Sequence, residues 1–146
     1  MTAPSLTRST PSQQQLGIAI LRIVTGVVFA AHGAQKLFVY GFAGVSGAFA
    51  KMGLPMPGIL GPFIGLLEFF GGLALIIGLL TRLAALGLAF DMLGAILFVH
   101  LAGGFFLPAG YEYALTLLAS MICLVLAGSG SLSVDSMLAA RRAGVR

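Results

Sequence analysis

The stretch ILGPFIGLLEFFGGLALIIGLLTRLAALGLAFDMLGAILFVHLA, residues 59–102, decides the fold. It contains two apolar runs, Ile59–Leu80 and Leu83–Ala102, and each run carries one carboxylate, Glu68 or Asp91. About 20 apolar residues in a helix cross the hydrocarbon core of a bilayer, so each run predicts one transmembrane helix. Because an isolated charge is costly in hydrocarbon, each carboxylate is expected to have a partner or a function.

Two further apolar runs flank this stretch, residues 16–34, which contain Arg22, and residues 111–128. The composition, 59% hydrophobic and 8% charged, exceeds what a soluble domain of this size could bury. The runs are too long, and alternate too little, for barrel strands. We therefore predict an all-α membrane protein, a four-transmembrane-helix bundle. Its spans are residues 16–34, 59–80, 83–102 and 111–128, within one membrane domain of residues 16–128.

The segments outside the spans differ in character. Between the first two spans, apolar residues at helical spacing predict a short helix lying in the membrane interface; they are Phe42, Val45, Phe49 and Met52. Residues 1–15 are expected to form a disordered tail, and residues 129–146 a second tail.

The positive charges indicate topology rather than nucleic-acid binding, because they form no basic patch with interleaved aromatic residues. With four spans, one side of the membrane carries five arginines, and the other carries only Lys36 and Lys51. The positive-inside rule then predicts that both termini are cytoplasmic. The five arginines are Arg8, Arg82, Arg141, Arg142 and Arg146.

Each predicted span has one stripe of small or polar residues, and we expect the four stripes to face one another inside the bundle. The same glycine-rich faces could equally pack between copies of the chain in a homo-oligomer. The stripes are Arg22, Gly26, Phe29, Gly33 and Lys36; Gly61, Gly65, Glu68, Gly72 and Leu75; Ala84, Gly87, Asp91 and Ala95; and Glu112, Thr116, Ala119 and Cys123.

Counting depth along the helices sorts the ionisable residues into two layers. Arg22, Glu68 and Asp91 form a candidate intramembrane site, in which Arg22 is expected to pair with one or both carboxylates. The alternative is an ion network that only fixes helix register. A candidate outer layer contains His32, Lys36, His100, Tyr111 and Glu112. For Lys36 and Glu112, simple snorkelling to the interface is the competing explanation.

Metal and haem sites are not predicted. His32 and His100 have similar depth, but two histidines without a fixed spacing are a weak signal for haem. Cys123 is the only cysteine, which excludes a disulfide framework or a dithiol relay within the chain.

Several ordered motifs resemble the DoxX family across about residues 16–136. They are Leu21-Arg22-Ile23 with His32-Gly33-Ala34-Gln35-Lys36-Leu37-Phe38, Glu68-Phe69-Phe70-Gly71-Gly72 with Gly78-Leu79-Leu80-Thr81-Arg82, Asp91-Met92, Gly110-Tyr111-Glu112-Tyr113, and Gly128-Ser129-Gly130 with Leu132-Ser133 and Asp135. The resemblance implies a small four-helix protein of the bacterial inner membrane. It also implies association with redox enzymes, since the family is named for a subunit of a terminal oxidase or thiosulfate:quinone oxidoreductase. It offers no established catalytic residue to carry over.

Two function classes follow. The first is a membrane subunit or partner of an oxidoreductase system that binds quinone between the helices, with Arg22 or His32 donating to the quinone and Glu68 or Asp91 exchanging protons. Its electrons would come from a soluble or membrane redox partner protein. The second is a non-enzymatic membrane anchor or small-metabolite carrier whose buried charges are structural.

Overall fold

The computed structural model describes residues 9–144, and within them the chain is helical with no β-strand. Three helical stretches are long and apolar enough to cross a membrane: Pro11–Lys51, Pro57–Ile77 and Thr81–Gly103. A fourth apolar helix, Glu112–Ala127, is shorter. The predicted all-α membrane class is confirmed, while the fourth span stays a prediction.

The elements follow the apolar runs closely. They are α1 (Pro11–Ala34), a π-helical segment (Gln35–Tyr40), α2 (Gly41–Lys51), α3 (Pro57–Ile77), α4 (Thr81–Ala95), a second π-helical segment (Ile96–His100), a 3₁₀ turn (Leu101–Gly103), α5 (Glu112–Ala127) and α6 (Val134–Gly144). The predicted short helix after the first span is present as α2, and it packs on α3.

The ends of the chain differ from the predicted tails. α1 begins at Pro11 because Thr10 and Gln13 form a capping box at its start, so residues 11–15 are helical. The C-terminal segment contains α6. Residues 1–8, where the rest of the first predicted tail falls, lie outside the described residues.

Glycines allow α1 and α3 to pack with their backbones almost in contact. A Cβ atom on Gly26 would lie 2.8 Å from the Gly72 carbonyl oxygen, and one on Gly72 would meet the backbone of Ala30. Gly33 is equally close to the backbone of Phe69. The predicted glycine stripes of the first two spans therefore do face each other.

The stripe predicted for the third span faces α3, with Gly87 close to Leu67, although it is not the most buried face of α4; the stripe predicted for the fourth span is wrong as a packing face. The buried face of α4 contains Ala85, Leu88, Ala89 and Met92, and that of α5 contains Ala114, Leu117, Met121 and Leu124. On α5, Thr116 and Ser120 are not buried, because each hydroxyl donates to a carbonyl of its own helix and needs no other partner.

One end of the bundle, which we call the terminal end, gathers the start of α1, the α3–α4 turn and the segment after α5. Arg22, only 1% exposed, donates to the carbonyl oxygens of Leu75, Ile76 (2.9 Å) and Leu132 (2.6 Å). These carbonyls include the last turn of α3, where backbone acceptors have no helical partner. Arg22 thus joins α1, α3 and the C-terminal segment.

Asp135 provides a second junction at the terminal end. Its carboxylate accepts the backbone N–H groups of Leu80 (2.8 Å) and Thr81 (3.0 Å) at the start of α4. Leu80 adopts a left-handed backbone with φ 49°, which is unusual for leucine. Asp135 therefore caps α4 and holds the tight α3–α4 turn.

Candidate functional site

The half of the bundle away from the terminal end, which we call the loop end, contains α2 and the loop before α5. A buried ion pair between Lys36 and Glu68 lies at its inner edge. Lys36 lies in the π-helical segment that continues α1, and Glu68 lies at the middle of α3. The side chain of Glu68 is 6% exposed and that of Lys36 is 23% exposed. Gly65, one turn before Glu68, has the Cβ of Lys36 3.3 Å from where its own Cβ would be, so a glycine there lets the lysine approach.

Asp91 of α4 lies beside this pair. Its carboxyl is within electrostatic range of Lys36 and close enough to Glu68 for the two carboxyls to share a hydrogen bond when one of them is protonated. One of its oxygens, Oδ2, is buried and has no hydrogen-bond partner among residues 9–144. A buried acceptor without a partner costs free energy, so this atom marks a position where a ligand group or a proton would be stabilising.

The three side chains line a cavity of about 660 Å³. This volume falls within the range of about 300–1,000 Å³ that small-molecule sites occupy. The remaining wall is almost entirely apolar and includes Phe29, Leu67 and Leu117, while His32 and His100 add two polar groups. The arrangement is an apolar chamber with one lysine and two carboxyls at its wall.

The charges at this wall do not balance. If Lys36, Glu68 and Asp91 were all ionised, the cluster would carry one excess negative charge in an apolar setting, which is costly. A proton bound to either carboxyl removes the excess. The site can therefore hold a proton, donate a hydrogen bond and accept one.

Comparisons with known proteins agree with a membrane location. The chain matches the DoxX family over residues 17–101. The chain belongs to the DoxX family. A second family, described as TQO small subunit DoxD, matches residues 60–145.

Three relatives resemble this DoxX-family protein over most of their length. "Putative oxidoreductase CatD" of Bacillus subtilis is 34% identical over 83% of this chain and 86% of CatD. Membrane protein Rv3486 of Mycobacterium tuberculosis is 32% identical over 95% of this chain and 91% of its own. Inner membrane protein YqjF of Escherichia coli is 33% identical over 86% of this chain and 94% of YqjF. No solved structure matches the chain.

The predicted pairing of Arg22 with Glu68 or Asp91 in this DoxX-family protein is wrong. Arg22 bonds backbone carbonyls at the terminal end, and Lys36 takes its place beside Glu68. The reason is the direction of helical side chains, which lean toward the N-terminus of their own helix. In α1 this lean carries Arg22 away from Glu68 and carries Lys36 toward it, so Lys36 does not snorkel outward.

Of the predicted outer layer, His32, Lys36 and His100 line the cavity, whereas Tyr111 and Glu112 do not. Glu112 accepts the backbone N–H of Leu107 (2.8 Å), and Tyr111 packs edge-on against Phe105. Both therefore stabilise the loop before α5. His100 reaches the carbonyl oxygen of Ala109 through Nδ1 (3.2 Å), although His100 also lines the cavity.

His32 and Tyr113 share one part of the cavity wall. Their ring centroids are 6.5 Å apart, and both residues line the cavity. Tyr113 was not among the predicted site residues; in the sequence it stood out only as part of the motif Gly110-Tyr111-Glu112-Tyr113. The spacing of small residues did hold a signal for α4, since Gly87, Asp91 and Ala95 share one stripe and that stripe lines the cavity.

Proposed function

We propose that this DoxX-family protein is the membrane subunit or membrane partner of an oxidoreductase system, and that its cavity binds a quinone. The observation that carries the proposal is the unpartnered Asp91 oxygen at the wall of an apolar cavity, beside the Lys36–Glu68 pair. The similarity to TQO small subunit DoxD and to "Putative oxidoreductase CatD" supports the link to redox enzymes.

The chemistry of quinone reduction matches the charges at the wall. Reduction of a quinone to a quinol takes two electrons and two protons, and hydrocarbon supplies neither. A soluble or membrane partner protein would supply the two electrons. The carboxyl cluster would deliver the two protons in turn, taking up the second from water after it has given the first. In this proposal Asp91 carries the proton that offsets the excess charge and donates a hydrogen bond to a quinone carbonyl. Lys36 and Glu68 pair with each other and hold the cluster in place.

The topology is part of the same proposal. α5 forms the fourth span, and both chain termini lie on the cytoplasmic side of the bacterial inner membrane. The terminal-end arginines Arg82, Arg141 and Arg142, against Lys36 and Lys51 at the other end, support this orientation.

The first experiment is gentle purification from the native membrane, followed by lipid extraction and mass spectrometry. We expect about one quinone per protein, because a site of this size holds a single headgroup. A quinone-free protein that retains a soluble partner would contradict the proposal and favour the anchor function.

Two substitutions at Asp91 separate binding from proton exchange. Asp91→Asn keeps a hydrogen-bond donor but cannot exchange a proton, so we expect nearly normal quinone affinity and slower quinol formation with the reconstituted partner. Asp91→Leu removes the donor, and about tenfold weaker binding is expected for one lost hydrogen bond. The matched control is Glu112→Gln, which makes the same chemical change outside the cavity and whose amide oxygen still accepts the Leu107 N–H. Equal quinol formation by Asp91→Asn and Glu112→Gln would exclude the proton role.

A further inference from the structure

The cavity lies where α3 and α4 separate. Toward the terminal end the two helices are in contact: a Cβ on Gly71 would meet Leu88 at 3.3 Å, and one on Gly87 would meet Leu67 at 3.1 Å. Two turns further along α4, a Cβ on Gly94 would have nothing within 4 Å. The helices therefore form a wedge that is closed near Gly87 and open at Gly94.

The polar groups lie near the closed end of this wedge. Asp91 is one turn from Gly87, and Glu68 directly follows Leu67 in α3. A ligand that reaches these carboxyls must pass along the apolar part of the wedge. Its leading end must then be polar, and the rest of it must be apolar.

The open side of the wedge has an aromatic rim. Phe63 of α3, Phe90 of α4 and Phe98 of the following π-helical segment all line the cavity. The same three side chains are also largely exposed, by 55%, 66% and 64%. A side chain can line the cavity and also be largely exposed only if the cavity wall reaches the outer surface of the bundle at that point. Because these residues belong to the two apolar stretches most suited to cross a membrane, that surface faces acyl chains.

The loop end of the cavity has a separate apolar wall. Phe49 of α2, with Met52 and Leu54 of the turn that follows, lines the cavity there. α2 is positioned by its contact with α3, where Gly61 approaches Val45 closely. Because Met52 is 43% exposed, the cavity also reaches the surface at this end. A ligand with an apolar tail would nevertheless reach the gap beside Gly94 directly from the acyl chains.

We propose that the gap between α3 and α4 is a lateral portal, through which a lipophilic ligand with a flat polar headgroup and an aliphatic tail enters from the bilayer. The headgroup moves toward Asp91, and the tail stays between Phe63, Phe90 and Phe98. Gly94 sets the free width of the portal. The inference rests on the proposed function for the identity of the headgroup, but the position of the opening does not depend on it.

The chain contains no tryptophan, so a single introduced tryptophan reports on one position. Phe90→Trp places it at the portal. Phe70→Trp is the matched control, because Phe70 is exposed by 60% on α3 and lies outside the cavity. Both full-length variants are reconstituted in two kinds of vesicle. Vesicles with brominated acyl chains report quenching from the lipid, and plain vesicles with iodide outside and inside report quenching from water. A short-chain quinone is then titrated in plain vesicles.

We expect brominated chains, and not iodide, to quench Trp at position 90. Quinone should quench it with a saturable component that the position 70 reporter lacks. Adding Gly94→Leu to Phe90→Trp should weaken this component about tenfold by overfilling the gap. Gly17→Leu is the matched control, since Gly17 lies on an open face of α1 away from the cavity.

The two proposals fail in different ways. Quenching at position 90 by iodide and not by brominated chains would overturn the lateral portal even if quinone binds. Quenching by brominated chains without a saturable quinone component would support the portal as an opening to lipid and would overturn quinone as the ligand. Equal quinone affinity with and without Gly94→Leu would overturn the role of Gly94 and with it the portal.

Discussion

The two ends of the bundle bury charge in opposite ways. At the terminal end, Arg22 is enclosed by backbone carbonyls from two parts of the chain, the end of α3 and the segment after α5. At the cavity, Lys36 and Glu68 pair with each other, and Asp91 has a buried oxygen without a partner in residues 9–144. The buried Nε of Arg22 also lacks a partner, so the difference is the open space beside Asp91.

The difference shows that a buried charge by itself does not identify a functional site. Arg22 is the most enclosed ionisable residue of the described chain, but the space around it is filled by backbone that it stabilises. Asp91 is less enclosed and faces a cavity. We interpret the first as structural and the second as functional.

The largest effect is expected for Arg22→Met. The substitution removes several charge-assisted hydrogen bonds and leaves carbonyls of α3 buried without a donor, so the free energy of unfolding should fall by at least about 3 kcal/mol. Thermal unfolding in detergent, followed by circular dichroism, measures this. Arg22→Lys, which keeps the charge but not the fork of donors, should be intermediate. A fully stable Arg22→Met protein would mean that the terminal end does not depend on this residue.

Two glycine-to-alanine variants compare the stability cost at a tightly packed position with that at an open one. Gly72→Ala forces a methyl group against the α1 backbone near Ala30 and should cost about 1–3 kcal/mol. Gly94→Ala meets nothing within 4 Å and should leave the unfolding temperature unchanged or slightly raised. If the two variants were equally stable, the close α1–α3 packing would be incorrect.

Lys36→Met tests whether the cavity pair is stabilising. It leaves Glu68 without its cation, and we expect a loss of about 2 kcal/mol, between the values for exposed and fully buried pairs. The double variant Lys36→Met with Glu68→Gln should recover most of that loss. Unfolding measurements on the full double-mutant cycle give the coupling, and additive losses would show that the two side chains do not interact.

The smallest effect is the loss at low pH of the stability that Asp135 provides. Partial burial opposes its ionisation, but the backbone N–H groups of Thr81 and Leu80 and the charge of Arg22 outweigh this and lower the pKa of Asp135. Its stabilisation is therefore present above the unfolded pKa and is lost as the pH falls through the lower folded pKa. Asp135→Ala should lower the free energy of unfolding by about 1 kcal/mol at neutral pH, which is typical of a lost helix cap. At a pH below the folded pKa the substitution should have no effect. Urea titrations at several pH values check this, and a loss that does not vary with pH would contradict it.

Much of the fold could be predicted from the sequence, because apolar runs and glycine stripes act locally. The glycines of α1 and α3 identified their mutual contact. The start of α1 at Pro11 was missed, although Thr10 and Gln13 carry the capping-box pattern.

The candidate site could be predicted only in part. Depth along a helix located Glu68 and Asp91, but depth does not give the direction in which Arg22 and Lys36 extend. The cavity itself depends on how far α3 and α4 diverge, and neither helix encodes that alone. On α5, choosing polar residues as the inner face was the wrong criterion, since Thr116 and Ser120 are satisfied by their own helix.

The most direct test of the central claim is quinone binding to the Phe90→Trp reporter when Asp91→Leu or Arg22→Lys is added. We expect about tenfold weaker quinone binding with Asp91→Leu at nearly unchanged stability, and unchanged binding with Arg22→Lys at reduced stability. Weaker quinone binding with Arg22→Lys and full affinity with Asp91→Leu would contradict that claim.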